Sequence, residues 1–438
     1  MTTAIRTSTL KIGENRGVPR IWVEGTYLNS AGFYAGMKIT ANYDNDNGQI
    51  VLELDANGDR VVSSSRKSNR APILDINNEE IRRIFADAQY VQVETSVGKI
   101  VITPAKTERK RASRVKDGTV GSIFSGGGLL DEAAKQAGYK TAFGVEWNPD
   151  YGDIWQANHN GHLYQGCISQ IDYRTLPKVD LFLGGIPCEP FSLVRRQEGN
   201  KRRSAEDIPE NHELGDMSVW ALMMIEATNP STIVLEETPQ YIASGIGTVL
   251  LSSLRRMGYN VEWRIINGTE YGGVTTRQRV VIVAKDGAIN WPTACESQRT
   301  MAEILLPADH SECEWFNYET KSWLFTHWAE QTAKGNSFAS GQITPDTKSV
   351  QAITKRYFAG QGGNPVVKDV RPGREGWFRW LTLTEVRRIM GLKDTYNLGT
   401  TLTTAGEVMG QGVLVDVFRQ IIESVAPRTV KYVRRAAA

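Results

Sequence analysis

The sequence predicts an α/β fold preceded by a small β-rich domain and interrupted by an irregular insertion. Three observations carry this. Between Thr119 and Asp286, apolar strand-like segments alternate with helical ones, the pattern of βαβ units around a mostly parallel sheet. Residues 1–105 instead hold short segments rich in Val, Ile and Tyr, some of them separated by polar turns. Residues 287–376 lose the alternation and are aromatic and rich in Gly, Ser, Thr and Asn.

The bulk properties narrow the class. A length of 438 residues suits two to three domains. Lys and Arg exceed Asp and Glu by only two, so any nucleic-acid surface must be a local patch rather than a property of the whole chain. Hydrophobic residues at 40% and charged residues at 23% exclude a mainly disordered chain. No apolar run approaches the ~20 residues needed to span a bilayer, and the first residues lack the apolar stretch of a secretory signal. Cys167, Cys188, Cys295 and Cys313 lie far apart without a CxxC pair, which disfavours disulfides and a cysteine-based zinc site. A cytoplasmic protein without a metal centre is expected.

In the first region Arg20–Val23, Lys38–Tyr43, Gln49–Leu54, Tyr90–Glu94 and Lys99–Ile102 read as hairpin strands, and Leu74–Asp87 carries partly helical spacing. Residues 106–118 form a basic linker, either simply solvated or contacting phosphates. Then VGSIF reads as a strand, LLDEAAKQAG as a helix ending at Gly138, TAFGVE as a strand and Tyr151–Asn158 as a helix. VDLFLGG is a third strand, and its apolar run suits a strand covered on both faces. Met217–Ala227 is helical, STIVLEE a strand, Val249–Met257 a helix and VVIVA a strand. Residues 119–286 thus form the core and 287–376 the insertion. Residues 377–438 return to helical pattern at Thr384–Met390 and Val413–Val425 and end in a basic tail. No internal repeat is evident.

Chemistry concentrates at strand ends. Phe124-Ser125-Gly126-Gly127-Gly128 joins a strand to a helix, where missing side chains and free helix N–H groups admit a ligand; a purely structural turn is the alternative. The spacing matches neither a dinucleotide fingerprint nor a phosphate-binding P-loop. Glu146 closes the next strand, where an acidic residue can take ribose hydroxyls, and Trp147 follows it, able to stack on a purine or to pack in a core. Cys188 sits in Gly185-Ile186-Pro187-Cys188-Glu189-Pro190, on the loop where such sheets bind ligands, with Arg195, Arg196, Lys201, Arg202 and Arg203 following. A free cysteine is usually an inert hydrophobe, but nearby positive charge favours the thiolate. Glu236 and Glu237 end another strand, and Arg277 and Arg279 begin a later one on one face. Cysteine, glutamate and paired arginines together fit nucleophilic addition to a flat heterocycle.

In order and spacing these segments resemble the DNA (cytosine-5) methyltransferases over residues ~119–426. IFSGGGLLDEAAKQAG resembles their cofactor motif, VEWN their ribose segment, GGIPCEPFS their Pro-Cys loop, VLEETP their catalytic glutamate strand and TTRQRVVIVA their arginine strand. RWLTLTEVRRIMGL and MGQGVLVDVF resemble their last two motifs. The resemblance implies a Rossmann-like S-adenosyl-L-methionine-dependent methyltransferase sheet, with residues 287–376 as target-recognition region. It implies double-stranded DNA as partner, in bacterial or phage restriction–modification or anti-restriction. Cys188 would be the nucleophile, Glu236 its acid partner, Arg279 the holder of the base and Arg277 its buttress. Phe124, Ser125, Gly126, Gly128, Glu146, Trp147, Ile168, Pro187, Gln411 and Val413 would bind the cofactor. Ser192, Arg195, Arg196, Lys201, Arg202 and Arg203 would lie on a mobile loop over a flipped base. Asp131 reads as a helix cap instead.

The sequence departs from the family pattern at Glu189 and Thr275, each in place of Gln, at Glu237 and Gln411, each in place of Asn, and at Cys167, in place of an acidic residue. The segment Arg20–Leu54 is similar to the short β modules of SymE/AbrB-like proteins, which implies a homodimer or nucleic-acid binding through residues 1–105. An RNA cytosine-5 methyltransferase and a non-catalytic DNA-binding regulator are the competing functions.

Overall fold

The computed structural model describes residues 6–65, 70–86, 88–105, 116–187, 212, 214–335 and 342–427. Its contacts divide the chain into two units, Met1–Ser113 and Arg114–Ala438.

The first unit is built from short strands whose alternate residues are buried. In chain order these are β1 (Arg6–Lys11), β2 (Gly13–Asn15), β3 (Val18–Glu24), α1 (Tyr27–Ser30), β4 (Lys38–Asp44), β5 (Gln49–Leu54), β6 (Arg60–Val61), β7 (Ser63–Ser64), β8 (Pro72–Asn77), α2 (Glu80–Phe85), β9 (Tyr90–Ser96) and β10 (Lys99–Pro104). Helical spacing at Leu74–Asp87 describes only α2: Leu74–Asn77 is extended and pairs with β3. The expected absence of a repeat is also overturned. One sheet runs β1-β9-β10-β5-β4-β6 and the other β2-β3-β8-β7, so two successive stretches of chain follow the same course. Ile21, Leu28, Phe33, Ile50 and Leu52 form one core with Leu74, Ile81, Phe85, Ile100 and Ile102.

The second unit opens with β11 (Thr119–Ile123), α3 (Leu129–Gln136), β12 (Lys140–Glu146), α4 (Pro149–Asn158), β13 (His162–Gln165), β14 (Leu181–Gly185), α5 (Met217–Thr228), β15 (Thr232–Glu237), α6 (Gly245–Arg256), β16 (Asn260–Asn267) and β17 (Gln278–Lys285). The sheet order is β13-β12-β11-β14-β15-β17-β16. Its first five strands are parallel, while β17 runs antiparallel to β15 and to β16. Both faces are covered: Leu181 and Leu183 join α3 in one cluster, and Phe182 joins Met224 and Leu250 in another. The chain turns one way from β11 to β12 and the other way to β14, so a crevice opens at their carboxyl ends. Because β17 is antiparallel, its first residues reach this same edge. Position 131 is not a cap: Gly128, in the left-handed region at φ 85°, caps α3, and Asp131 is fully buried.

The insertion is better ordered than its composition suggests. It holds β18 (Trp315–Phe316), α7 (Ser322–Ala333), β19 (Gln342–Ile343) and β20 (Val366–Lys368), and β21 (Phe378–Trp380) completes a four-stranded sheet with them. Phe316, Leu324, Trp328, Val366 and Phe378 make a local core, whereas Met301, Ile304, Val350 and Ile353 pack into the main one. Helices α8 (Leu383–Ile389), α9 (Leu402–Gln411) and α10 (Val415–Val425) follow.

Candidate active site

At the carboxyl end of β11 the chain turns sharply. Phe124 adopts φ 51°, uncommon for a bulky residue, and the turn is fastened on both sides. Ser125 donates its N–H to the Val145 carbonyl at 3.1 Å, and its hydroxyl lies 2.7 Å from that of Ser122. Gly126, at φ 54°, donates its N–H to Glu146 Oε2 at 2.7 Å; the Asn148 N–H reaches Oε1 at 2.9 Å. Glu146 is buried, which pushes its carboxyl above the ordinary range against the pull of these N–H donors. The Gly166 N–H donates to the Glu146 carbonyl at 2.9 Å, bringing the chain that leads to Ile168 alongside. Ile168 is buried among apolar side chains, while Trp147 is 70% exposed beside the turn.

Distant segments hold the turn from behind. The Tyr396 hydroxyl donates to the Gly127 carbonyl at 2.7 Å, and His159 Nε2 lies 3.0 Å from the Gly128 carbonyl. A side chain at Gly127 would strike Val408 of α9 at 2.4 Å. The Ser122 hydroxyl donates to Asp131 Oδ1 at 2.7 Å, and burial raises the Asp131 carboxyl to about 7. Burial also lowers His159 to about 4, leaving it neutral at physiological pH. Tyr396, His159 and Ser122 were missed in the sequence; a serine inside an apolar strand was the one local signal. Gln411 is exposed at the end of α9.

On the other side of the crevice β14 and β15 run parallel, Gly185 opposite Glu236, and the Ile186 N–H donates to the Glu236 carbonyl at 3.1 Å. Pro187 therefore leaves the sheet beside Glu236. Arg279 Nε lies 2.5 Å from Glu236 Oε1, and the pair is mostly shielded from solvent. Any group contacted by either side chain must share this bond. Arg277 is buried, donates to the Ile353 carbonyl at 3.4 Å, and lines a cleft with Arg279, Ile266, Gly268 and Val413. Val413 thus stands with the arginines. Glu237 is also buried, its Oε2 taking the Thr238 N–H, and burial raises its carboxyl to about 8. Cys188, Glu189, Ser192, Arg195, Arg196, Lys201, Arg202 and Arg203 lie outside the described residues.

A glycine turn at the first strand, a buried carboxylate at the second, and an Arg–Glu pair near Pro187 gather at the carboxyl edge of a doubly wound sheet. A family model described as C-5 cytosine-specific DNA methylase matches residues 118–426; the chain belongs to that family, whose members take their methyl group from S-adenosyl-L-methionine. It is similar to the type II methyltransferase M.NlaX of Neisseria lactamica, 25% identical over 69% of this chain and 94% of the relative. It is likewise similar to M.Bsp6I of Bacillus sp. (strain RFL6), 24% identical over 70% of this chain and 98% of the relative. The solved structure of S. pombe Dnmt2 methyltransferase covers 69% of this chain and 97% of its own length with a TM-score of 0.55 at 16% identity, a likeness of fold. Among the described residues no helix is long and apolar enough to cross a membrane.

The described residues fit the cofactor. The open backbone at Gly126, where a Cβ would meet nothing within 4 Å, leaves room beside a buried carboxylate at the end of the adjacent strand.

Proposed function

We propose that this chain methylates carbon 5 of cytosine in double-stranded DNA, in the cytoplasm of a bacterial cell or phage-infected host, as part of restriction–modification or anti-restriction. The observation that carries this reading is the Glu236–Arg279 pair at the sheet edge where the chain leads into Pro187 and Cys188. Carbon 5 is a poor nucleophile until a group adds at carbon 6. The Cys188 thiolate forms the S–C6 bond while Glu236 hydrogen-bonds or protonates N3, which makes carbon 5 enamine-like. The turn 124–128, Glu146, Trp147 and Ile168, with Pro187, Gln411 and Val413 adjoining, would hold S-adenosyl-L-methionine, which would supply an electrophilic methyl group to carbon 5 and leave as the neutral thioether. Water then takes the carbon 5 proton, Glu236 takes back any proton given to N3, and cleavage of S–C6 restores the ring and the thiolate. Arg279 holds the base at O2 and Arg277 stiffens it from the Ile353 side.

A stacked base hides carbon 6, so the nucleotide must be flipped out of the duplex. Arg195, Arg196, Lys201, Arg202 and Arg203 are the cations for its phosphates, and binding should weaken steeply with salt. Residues 287–376 are assigned to target recognition and residues 106–118 to a linker.

The test incubates the protein with labelled S-adenosylmethionine and either duplex DNA or transfer RNA, then maps modified cytosines. Label on carbon 5 of DNA cytosine is expected; label on RNA alone would overturn the DNA assignment. Cys188→Ser should abolish turnover, because the hydroxyl is far less nucleophilic at neutral pH. Duplex DNA containing 5-fluorocytosine should trap a covalent adduct with the unaltered protein only.

A further inference from the structure

The N-terminal unit pairs with itself. Both of its sheets, β1-β9-β10-β5-β4-β6 and β2-β3-β8-β7, read as the same sequence of strand types from either end once β1 is matched with β6, β2 with β7, β3 with β8, β4 with β9 and β5 with β10. The two central pairings each join a strand to its own counterpart. Strands β3 and β8 run antiparallel with Trp22 opposite Asp75, and β5 and β10 run antiparallel with Val51 opposite Val101. Antiparallel pairing of like with like is what a two-fold axis normal to a sheet produces.

The register agrees strand by strand. Gly13 faces Arg20 as Ser63 faces Ile73, and Glu14 faces Pro19 as Ser64 faces Pro72. Leu10 faces Val91 as Arg60 faces Ile39. The buried positions correspond as well: Ile21 with Leu74, Val23 with Ile76, Leu28 with Ile81, Ile39 with Val91, and Ile50 with Ile100. The sequence keeps one trace of this, Gly48-Gln-Ile-Val against Gly98-Lys-Ile-Val. The outer strands are exchanged, since β1 of the first half pairs with β9 of the second and β6 of the second with β4 of the first.

We propose that this unit is a fused, strand-exchanged dimer: residues 6–54 and 60–104 are two copies of one βββαββ half, and the chain supplies its own second copy. The connector makes the pairing intramolecular. Asp55 donates its N–H to the Lys38 carbonyl at 3.1 Å and takes the Gly58 N–H on its own carbonyl at 2.9 Å; a side chain at Gly58 would strike the Ile39 carbonyl at 2.3 Å. A link this short holds the halves at an effective concentration on the order of millimolar, far above the micromolar protein concentration of the sedimentation test below. The unit is thereby closed to a second chain, and the enzyme is a monomer with respect to it.

The test places cysteines at Glu53 and Lys99 in the full chain (E53C/K99C). These residues face each other across β5 and β10, form an exposed ion pair at 2.9 Å, and lie away from the core. After mild oxidation, with the unaltered chain as control for the native cysteines, a disulfide within one chain is expected. Sedimentation at micromolar concentration should give the mass of one chain before and after oxidation. A disulfide-linked dimer as the main new product would overturn the proposal. So would no cross-link at all, or a dimer in sedimentation that dissociates when residues 1–57 are removed.

Discussion

Glu237 sits beside Glu236 at the end of β15 and is almost wholly enclosed. The proton it keeps up to about pH 8 makes it a neutral side chain that both donates and accepts, as the family's asparagine does. The folded chain therefore holds a proton that the unfolded chain has released between the ordinary glutamate range and about 8, so stability falls as pH rises across that window. Glu237→Gln should reduce this fall by roughly 1–3 kcal/mol between pH 5 and 8; urea unfolding at both pH values measures it, and an unaltered slope would mean that Glu237 is ionised in the folded protein. At Gln411, one methylene longer than the family's asparagine, Gln411→Asn should leave methylation within about tenfold, a barrier change of ~1.4 kcal/mol or less. Mass spectrometry of the treated bases separates this from transfer of a larger group, which would appear as a heavier carbon 5 adduct lost in the variant. Glu146, Glu236 and Arg279 were legible in the sequence because each ends or begins an apolar strand. Tyr396 was not, since its bond to Gly127 exists only once the chain has returned from far away.

At the scale of elements, the four-stranded sheet of the insertion is tied to α8 by a buried ion pair. Arg379 donates two 2.7 Å bonds to Glu385, which also accepts the N–H groups of Leu306 and Thr382. Arg379→Met would leave the Glu385 charge enclosed with only backbone partners. The expected cost is about 3 kcal/mol or more, read as a lower urea midpoint, and Arg379→Met with Glu385→Leu should recover part of it. A loss below about 1 kcal/mol in the single variant would mean that the pair does not tie the sheet to α8. Composition hid this order because its strands are only two or three residues long and pair across long separations. Strand β16 was hidden differently: most of its residues are exposed, so it lacks an apolar run. The strands β11, β14, β15 and β17 were legible because burial on both faces writes continuous apolar sequence.

For the whole molecule, about 70% of this chain matches 94% and 98% of the length of two relatives, and the family model falls on residues 118–426, inside the second unit. A chain beginning at Arg114 should therefore retain S-adenosylmethionine-dependent labelling of duplex DNA with kcat within about tenfold. A larger loss of kcat at saturating DNA, with the truncated chain still folded by circular dichroism, would mean that the first unit takes part in the chemistry.

The doubled course of the first unit carries a genetic consequence. When two identical subunits meet on an axis, each mutation is written twice, and a residue on the axis faces its own kind. Two aspartates there would repel. Fused halves drift independently. On this axis Trp22 faces Asp75, and Arg20 grips both Asp75 oxygens at 2.8 Å while its guanidinium lies 4.2 Å over the Trp22 ring. One gene has thus written a heterodimer, whose two ends are free to specialise toward different neighbours.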